Sequence, residues 1–298
     1  MRTDRLLTAL LVAALLVGCT PKVALRVQDF GSGDERIELS KTAFFPSTER
    51  ASAAAALATL LYTDGLNEVG PAQMAPLLRP KTAVPALRPE LAAAARKFER
   101  LPFLLPPTLN AVFAEVRSGK PVLVFQKLDG WRYSVVIGVE PLSNQVILRS
   151  GSEGRVYQPV DEFESAWKQG DHWAMVLGDG SKPPASATID AWVAAGEAST
   201  AAGYATLAEK GAYGAIARWP DEVVPWVALG NARYAMKAWQ GAQDAYVEAL
   251  KLRPENPVVR NNLALVLLER LAVTRPARPL SRRRKTTFVA GFRHEINA

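Results

Sequence analysis

The sequence predicts an α+β domain followed by an all-α repeat module. Ala-rich helical stretches up to residue 117 give way to short runs of valine, isoleucine and aromatic residues between turn residues, which is typical of an antiparallel meander. In the second half, apolar and small residues recur every 34 positions. Hydrophobic residues make up 49% of the 298 residues, enough to form two cores.

Three helices are expected early in the α+β domain, which we place at residues 36–180. An Ala-rich stretch stops at Asp64-Gly65, and Thr108 supplies the N-cap of the third helix, which Gly119 and Pro121 close. The predicted bounds are 49–61, 90–98 and 109–117.

Short strands form the remainder of this domain. They are predicted at 36–39, 121–125, 131–139, 145–149 and 173–177. Asp161 and Glu164 have the spacing of a capping box and predict a short helix that ends at Gly170. Residues 181–186, which include Pro183-Pro184, form the predicted linker to the second module.

Large and small residues in the second half keep a fixed spacing. They are Trp226, Leu229, Gly230, Ala242, Tyr246, Ala249 and Pro254, preceded 34 residues earlier by Trp192, Ala195, Gly196, Ala208, Ala212, Ala215 and Pro220. This spacing resembles the tetratricopeptide signature and predicts repeats over residues 187–271. The first helix of a third repeat is expected at 258–271, without a recognisable second helix.

Most of the net charge of +7 lies in the C-terminal residues 272–298. This segment contains seven Lys and Arg residues and a single acidic residue, Glu295, so the rest of the chain is nearly neutral. This distribution argues against a nucleic-acid groove. The tail is Arg- and Pro-rich and predicts disorder; the alternative is a changed reading frame that removed the partner helix of the last repeat.

The first nineteen residues have the features of a signal peptide. Arg2 and Arg5 precede the apolar run 6–17, which is too short for a permanent membrane span. The run ends in Leu16-Val17-Gly18-Cys19, which resembles a lipobox with Cys19 as the lipidated residue. An ordinary secretory signal is the alternative. Thr20, where Asp would favour the inner membrane, points to the outer membrane facing the periplasm, with residues 20–35 as a tether.

Composition excludes several kinds of chemistry. Cys19 is the single cysteine, so the mature chain has neither an intrachain disulfide nor a catalytic thiol. Two distant histidines and no clustered carboxylates give no conventional zinc site, and no Gly-rich loop follows a strand. No metal or other cofactor is expected.

Two sequence motifs in the first domain resemble those of the bacteriocin-processing (double-glycine) cysteine peptidases, a papain-like family. The resemblance is to a lipoprotein branch with tetratricopeptide repeats and covers roughly residues 36–270. Phe44-Phe45-Pro46-Ser47, four residues, then Ser52-Ala53-Ala54-Ala55-Ala56-Leu57-Ala58 stand where the branch has Phe-Phe-Pro-Gln and Cys-Gly-Pro-Ala-Ala-Leu-Ala. By this resemblance, Ser52 replaces the nucleophile and Ser47 the oxyanion-stabilising Gln.

The base motif has also changed. The family's Pro-Val-Leu-Val-x-Gln and Trp-His-Tyr-Ala-Val-Val-x-Gly correspond to residues 121–126 and 131–138. Arg132 therefore replaces the His. A papain-like site needs a thiolate and a base near neutral pH, and a guanidinium stays protonated. Loss of nucleophile or base costs on the order of a million-fold in turnover.

Other groups offer weak replacements. His172 is expected to make a surface hydrogen bond, and His294 lies in the basic tail. A dyad of Ser52 with Lys127 is conceivable, although Lys127 is expected to be a solvated loop residue.

These features predict a membrane-anchored protein without peptidase activity that binds a peptide or a partner protein. One candidate surface is the position of the family's peptide-binding cleft, near Trp131, Arg132 and Tyr133. The other is the concave face of the repeats. An active hydrolase that uses Ser52 is the alternative. A third possibility is the product of a decayed gene.

Lipidation at Cys19 can be tested in a bacterial host. Labelled fatty acid should enter the protein, and Cys19→Ser should lose both the label and membrane fractionation, because acyl chains supply the membrane affinity. A Cys19→Ser protein that stays membrane-bound after a carbonate wash would mean that another anchor holds it.

Overall fold

The computed structural model describes residues 35–78 and 83–274. The predicted signal peptide, Cys19 and nearly all of the predicted tether lie outside these ranges, as does the chain from residue 275 onward. Within the described ranges, no helix has the length and apolarity needed to cross a bilayer.

The described chain consists of seven strands and ten α-helices, with two 3₁₀ turns at Ala75–Leu77 and Val84–Leu87. The strands are β1 Ile37–Glu38, β2 Leu101–Leu104, β3 Val122–Lys127, β4 Trp131–Glu140, β5 Gln145–Ser150, β6 Glu153–Pro159 and β7 Ala174–Gly178. The helices of the first domain are α1 Ser52–Thr63, α2 Pro71–Met74, α3 Arg88–Lys97, α4 Leu109–Arg117 and α5 Val160–Gln169. The remaining helices are α6 Ile189–Ala201, α7 Ala205–Arg218, α8 Val223–Ala235, α9 Trp239–Leu252 and α10 Pro257–Thr274.

All seven strands form one antiparallel sheet, which confirms the predicted α+β class of the first domain. Its order is β2-β7-β3-β4-β5-β6, and β1 pairs with the end of β4. The hairpin of β3 and β4 brings Gln126 opposite Arg132 and Lys127 opposite Trp131. Consecutive strands pair from β3 to β6, as expected for a meander.

Two separate cores cover the two faces of this sheet. On one face, Leu123, Tyr133 and Val135 pack with α1 and α3. On the other face, Val124 and Val136 pack with α4 and α5. Residues along a strand alternate between these faces, so neighbours in β4 belong to different cores.

The helices after residue 187 repeat with the predicted period. Helices α6, α8 and α10 begin at Ile189, Val223 and Pro257, which are 34 residues apart. In α8, Gly230 lies beneath the ring of Tyr246 from α9, so close that a Cβ there would lie 2.4 Å from Cε1. Small residues therefore permit close approach of paired helices, as expected. The tetratricopeptide assignment itself stays a prediction.

The predicted linker is held in place by a buried carboxylate. Glu115 of α4 has no exposed surface and accepts hydrogen bonds from Ala185 N (3.2 Å), Ser186 N (2.7 Å) and Ser186 Oγ (2.6 Å). Arg218 of α7 donates to the carbonyl oxygens of Pro184 and Ala185. The backbone of the segment that joins the sheet to the helical repeats is thus hydrogen-bonded both to the first domain and to the repeats.

The core also continues across this junction. Trp192 of α6 packs against Phe103 of the edge strand β2, with ring centroids 5.9 Å apart, and belongs to the same apolar cluster as the α4 side of the sheet. Helix α6 therefore covers part of the edge of the sheet, a position where unpaired strands invite aggregation.

The predicted bounds of α4 are confirmed, whereas the predicted capping box is wrong. Thr108 Oγ1 accepts from Ala111 N and α4 has the predicted bounds. Helix α5 instead begins after Pro159 without a side-chain cap, and Asp161 lies inside its first turn. Pro159 (φ −51°, ψ 138°) occupies the N-cap position, so Val160 is the first residue of the helix and Asp161 cannot be its N-cap. The first helix starts at Ser52 instead of residue 49, and α10 runs three residues past 271 to Thr274.

Leu229 tests the packing of the helical repeats, because it is 1% exposed in the interior. Leu229→Asp would bury an unpaired carboxylate and should lower the free energy of unfolding by at least about 3 kcal/mol. Leu142→Asp is the matched control at an 83% exposed leucine and should change it by no more than about 0.5 kcal/mol. Urea titration followed by circular dichroism measures both; equal curves for the two variants would remove the packing assigned to Leu229.

Candidate functional site

Ser52, the residue that matches the family nucleophile, is the first residue of α1. Ten consecutive residues, from Ser52 to Leu61, are buried. The alanines at 53–56 let this helix approach the sheet closely on one side and α3 on another. Ser52 thus starts a helix that is enclosed by the domain, and its own side chain is 2% exposed.

The Ser52 hydroxyl is engaged on both sides. Its Oγ donates to Glu49 O (2.6 Å) and accepts from Tyr133 N (3.2 Å) in β4. The hydroxyl proton therefore points at a carbonyl oxygen, which cannot remove it. This arrangement ties the start of α1 to the sheet and gives the hydroxyl a structural role.

Ser52 lines a cavity of about 10 Å³, on the order of the space for one water molecule. Ser47 lines the same cavity, so the structure brings together the positions that match the nucleophile and the oxyanion residue. The other walls are Phe44, Phe45, Ala55, Ala56, Thr59, Tyr133, Val135, Arg149, Ser150 and Gly151. A peptide side chain does not fit into this space.

Backbone contacts fix the segment that carries Ser47. Ser47 N donates to Gly151 O (2.8 Å) in the turn between β5 and β6. Arg149 donates from Nη2 to the carbonyl oxygens of Ser40 (3.2 Å) and Thr42 (3.0 Å) and from Nη1 to Gly154 O. Burial lowers the pKa of Arg149 from its usual value. The guanidinium holds the chain that closes one wall of the cavity.

Arg132 lies on the other face of the sheet. It stands opposite Gln126 in the hairpin, and strand alternation places it with Ser134, whereas Tyr133 faces α1. It is not among the residues that line the Ser52 cavity, although its Nη1 approaches the backbone of Gly151. The position that matches the family base therefore does not face Ser52.

Tyr133 also lines the cavity beside Ser52, and its phenol cannot act as a base. Its hydroxyl donates to Val84 O (3.1 Å). Burial raises the pKa of Tyr133 above its usual value, so the phenol stays neutral at physiological pH.

His172 and Lys127 make their contacts away from the Ser52 cavity. His172 follows α5, where its Nε2 lies 2.9 Å from Glu164 Oε1 and its ring packs edge-on against Trp167. The predicted surface hydrogen bond of His172 is confirmed. Lys127 is the last residue of β3, not a loop residue, and its Nζ lies 5.4 Å from the centroid of the Trp131 ring. Neither side chain lines the Ser52 cavity.

An aromatic and cationic surface lies at the hairpin end of the sheet. Trp131 stacks on Phe125 with centroids 5.0 Å apart, and Arg88 lies over the Phe125 ring at 5.0 Å. With Lys127 over Trp131, two cations flank the stacked rings. We call Arg88, Lys127 and Trp131 the hairpin surface; the Phe125 ring beneath them is fully buried. Sequence reasoning named Trp131 but not Arg88, whose approach depends on the placement of α3.

Among the described residues, no group of three or more His, Cys, Asp or Glu side chains could hold a metal ion. The described part of the site consists of hydroxyls, backbone amides, aromatic rings and the Arg149 guanidinium. It offers hydrogen bonds and packing, but it lacks a base placed to activate Ser52.

Comparison with known proteins gives a structural likeness alone. No family model matches the sequence, and no curated protein matches it. The chain is similar to a solved structure from Bacillus anthracis that is described as a C39-like peptidase, at 17% identity and a TM-score of 0.41. The match covers 48% of this chain and 98% of that chain.

Ser52→Ala tests the structural role of the hydroxyl. The variant leaves Tyr133 N without its buried acceptor and should lower the free energy of unfolding by about 1–3 kcal/mol. Ser152→Ala, at an exposed serine in the turn after β5, should leave stability within about 0.5 kcal/mol of the parent. Chemical denaturation compares the two; a Ser52→Ala protein as stable as the parent would contradict a structural hydroxyl.

Proposed function

We propose that this chain is a catalytically silent, papain-like domain joined to tetratricopeptide repeats, which binds a peptide or a partner protein. The observation that carries the proposal is the state of Ser52. Its hydroxyl is 2% exposed and donates to Glu49 O, and no base faces it in the cavity. The three residue types that the resemblance requires have all been replaced, at Ser47, Ser52 and Arg132.

Two surfaces support a binding role. The hairpin surface presents a half-buried Trp131 between a stacked ring and a cation, and Trp and Arg are enriched at the centres of protein interfaces. The helical repeats after residue 187 offer an extended face of the kind on which repeat proteins bind partners.

The proposed location is the periplasmic side of the outer membrane, with an anchor on Cys19. This part of the proposal rests on the basic start, the short apolar run, the Leu-Val-Gly-Cys motif and Thr20. It is independent of the silent site, since anchored proteins include both enzymes and binding proteins.

The rival proposal is a serine hydrolase that uses Ser52. It would require the cavity to open, a second group to take the hydroxyl proton, and a donor to stabilise an oxyanion. Without nucleophile activation, residual catalysis is on the order of a thousand-fold over water, which is too slow for useful peptide hydrolysis.

The decisive measurement is turnover of a peptide library and labelling by a fluorophosphonate, with the unmodified protein and Ser52→Ala side by side. We expect neither cleavage nor labelling in either protein, because the hydroxyl lacks a base. Turnover by the unmodified protein that disappears in Ser52→Ala would end the silent-domain proposal. Activity that both proteins share would point to a contaminating peptidase and is removed by further purification.

Ser52→Cys provides a second test of the missing base. Ser52→Cys alone should stay inactive, because Arg132 cannot exchange a proton and faces the other side of the sheet. Peptide cleavage by this single variant would show that another group can act as base.

The binding role is tested with a photoreactive amino acid in place of Trp131, and in place of Leu142 as the exposed control. In bacterial cells that export the protein, the Trp131 variant should crosslink to a discrete partner that the Leu142 variant does not capture. Equal labelling by both variants would remove the hairpin surface as a binding site.

A further inference from the structure

Arg132 carries a positive charge that no described acidic side chain balances. It is half-buried at the start of β4, and its Nε is buried without a hydrogen-bond partner. Within residues 35–78 and 83–274, no carboxylate forms an ion pair with Arg132. A guanidinium that is partly removed from water loses hydration, so such groups normally pair with an anion.

The side chains next to Arg132 on the sheet are polar but neutral. Gln126 lies opposite it in the hairpin, and Ser134 lies two residues along the same face of β4. Gln126 is fully buried and its Oε1 has no hydrogen-bond donor, so it does not bond to Arg132 either. These neighbours therefore leave the N–H groups of the guanidinium without an acceptor.

The turn between β5 and β6 positions the guanidinium. Gly151 has a φ of +61°, and a Cβ at this residue would lie 3.1 Å from Arg132 Nη1. A larger residue there would have to displace the guanidinium or the turn. Arg149, near the same turn, provides a contrast, because its two Nη atoms donate to three backbone carbonyl oxygens. Arg132 thus lies at a defined place with its donors unused.

Two serine hydroxyls near Arg132 supply a further donor. Ser134 Oγ and Ser150 Oγ lie 2.8 Å apart, and one of their two protons forms this hydrogen bond. The second proton is available to another acceptor. Ser150 directly precedes Gly151, so the hydroxyl pair and the guanidinium meet at one end of the sheet. A guanidinium with a hydroxyl donor beside it has the composition of an anion-binding site.

We propose that Arg132, together with the hydroxyls of Ser134 and Ser150, binds a carboxylate of the peptide ligand. This inference rests on the proposed peptide-binding function and adds the chemistry of the ligand. Two N–H groups of a guanidinium match the two oxygens of a carboxylate, and arginine keeps its charge at any physiological pH. The position that matches the family base thus carries a binding group. The carboxylate belongs either to the C-terminus of the peptide or to an acidic side chain.

The test compares three pools of mixed-sequence hexapeptides made from uncharged residues, each with a neutral BODIPY dye at the N-terminus. The first pool has a free C-terminal carboxylate, the second is amidated there, and the third is amidated but contains one glutamate. Fluorescence polarisation with the purified full chain should show about tenfold tighter binding of the first or the third pool than of the second, because a hydrogen bond to a charged group contributes about that much. A preference for the first pool identifies the C-terminus, and one for the third identifies an acidic side chain.

Arg132→Gln should remove this preference and bind the three pools alike. Arg50→Gln is the matched control, because it removes one positive charge at an exposed arginine in the segment before α1 and should retain the preference. Arg132 has no described ion pair to lose, so Arg132→Gln should keep the urea unfolding midpoint of the parent. The comparison of the three pools on the parent itself requires no variant.

The proposal is overturned if the parent binds the free-acid and glutamate pools no more tightly than the amidated pool. It is also overturned if Arg132→Gln keeps the preference, or if Arg50→Gln loses it as well. Equal binding of all three pools by the parent would remove the carboxylate site and leave the proposed peptide binding in place. Absence of binding by every pool would likewise remove the carboxylate site, whereas crosslinking at Trp131 tests the broader function separately.

Discussion

The burial of α1 on every side is the constraint on which the first domain depends. Ten consecutive residues of this helix have no free face, so the sheet, α3 and the segment before α1 must all pack against it. Alanine and serine make such packing feasible, because side chains without long branches let backbones approach closely. The price is that any polar group at the start of the helix must find its hydrogen-bond partners inside the domain. Ser52 does so with Glu49 O and Tyr133 N.

This constraint accounts for the chemical state of the site. A nucleophile at a helix start has to be exposed to substrate and adjacent to a base. Ser52 is enclosed, and its proton is directed at a carbonyl oxygen. Arg132, at the matching base position, lies on the opposite face of β4. The apolar residues that resemble the papain-like motif are thus retained, while the Ser52 hydroxyl links α1 to the sheet.

Local signals predicted the parts of the fold that local physics decides. The bounds of α4 follow from the Thr108 cap and one apolar pattern. The 34-residue interval of the repeats follows from residues that recur at that spacing, such as Gly196 and Gly230. Strand β2 was missed because Pro102 is atypical of a strand, and it pairs with β7 far along the chain. Strand β6 was missed because its residues are largely polar at an edge of the sheet. The contact of Ser52 with Tyr133 spans 81 residues, so no local pattern could reveal it.

Glu115 has a consequence for how the two halves can act together. A flexible linker would let the sheet and the repeats sample many orientations, and a ligand that touches both would have to stop that motion on binding. Here the buried carboxylate and Arg218 bond the backbone of residues 184–186, and Trp192 inserts into the core of the sheet. The hairpin surface and the repeats are therefore held at a fixed separation. An extended ligand whose length matches that separation would lose no interdomain entropy, and one of a different length would gain nothing from the second surface.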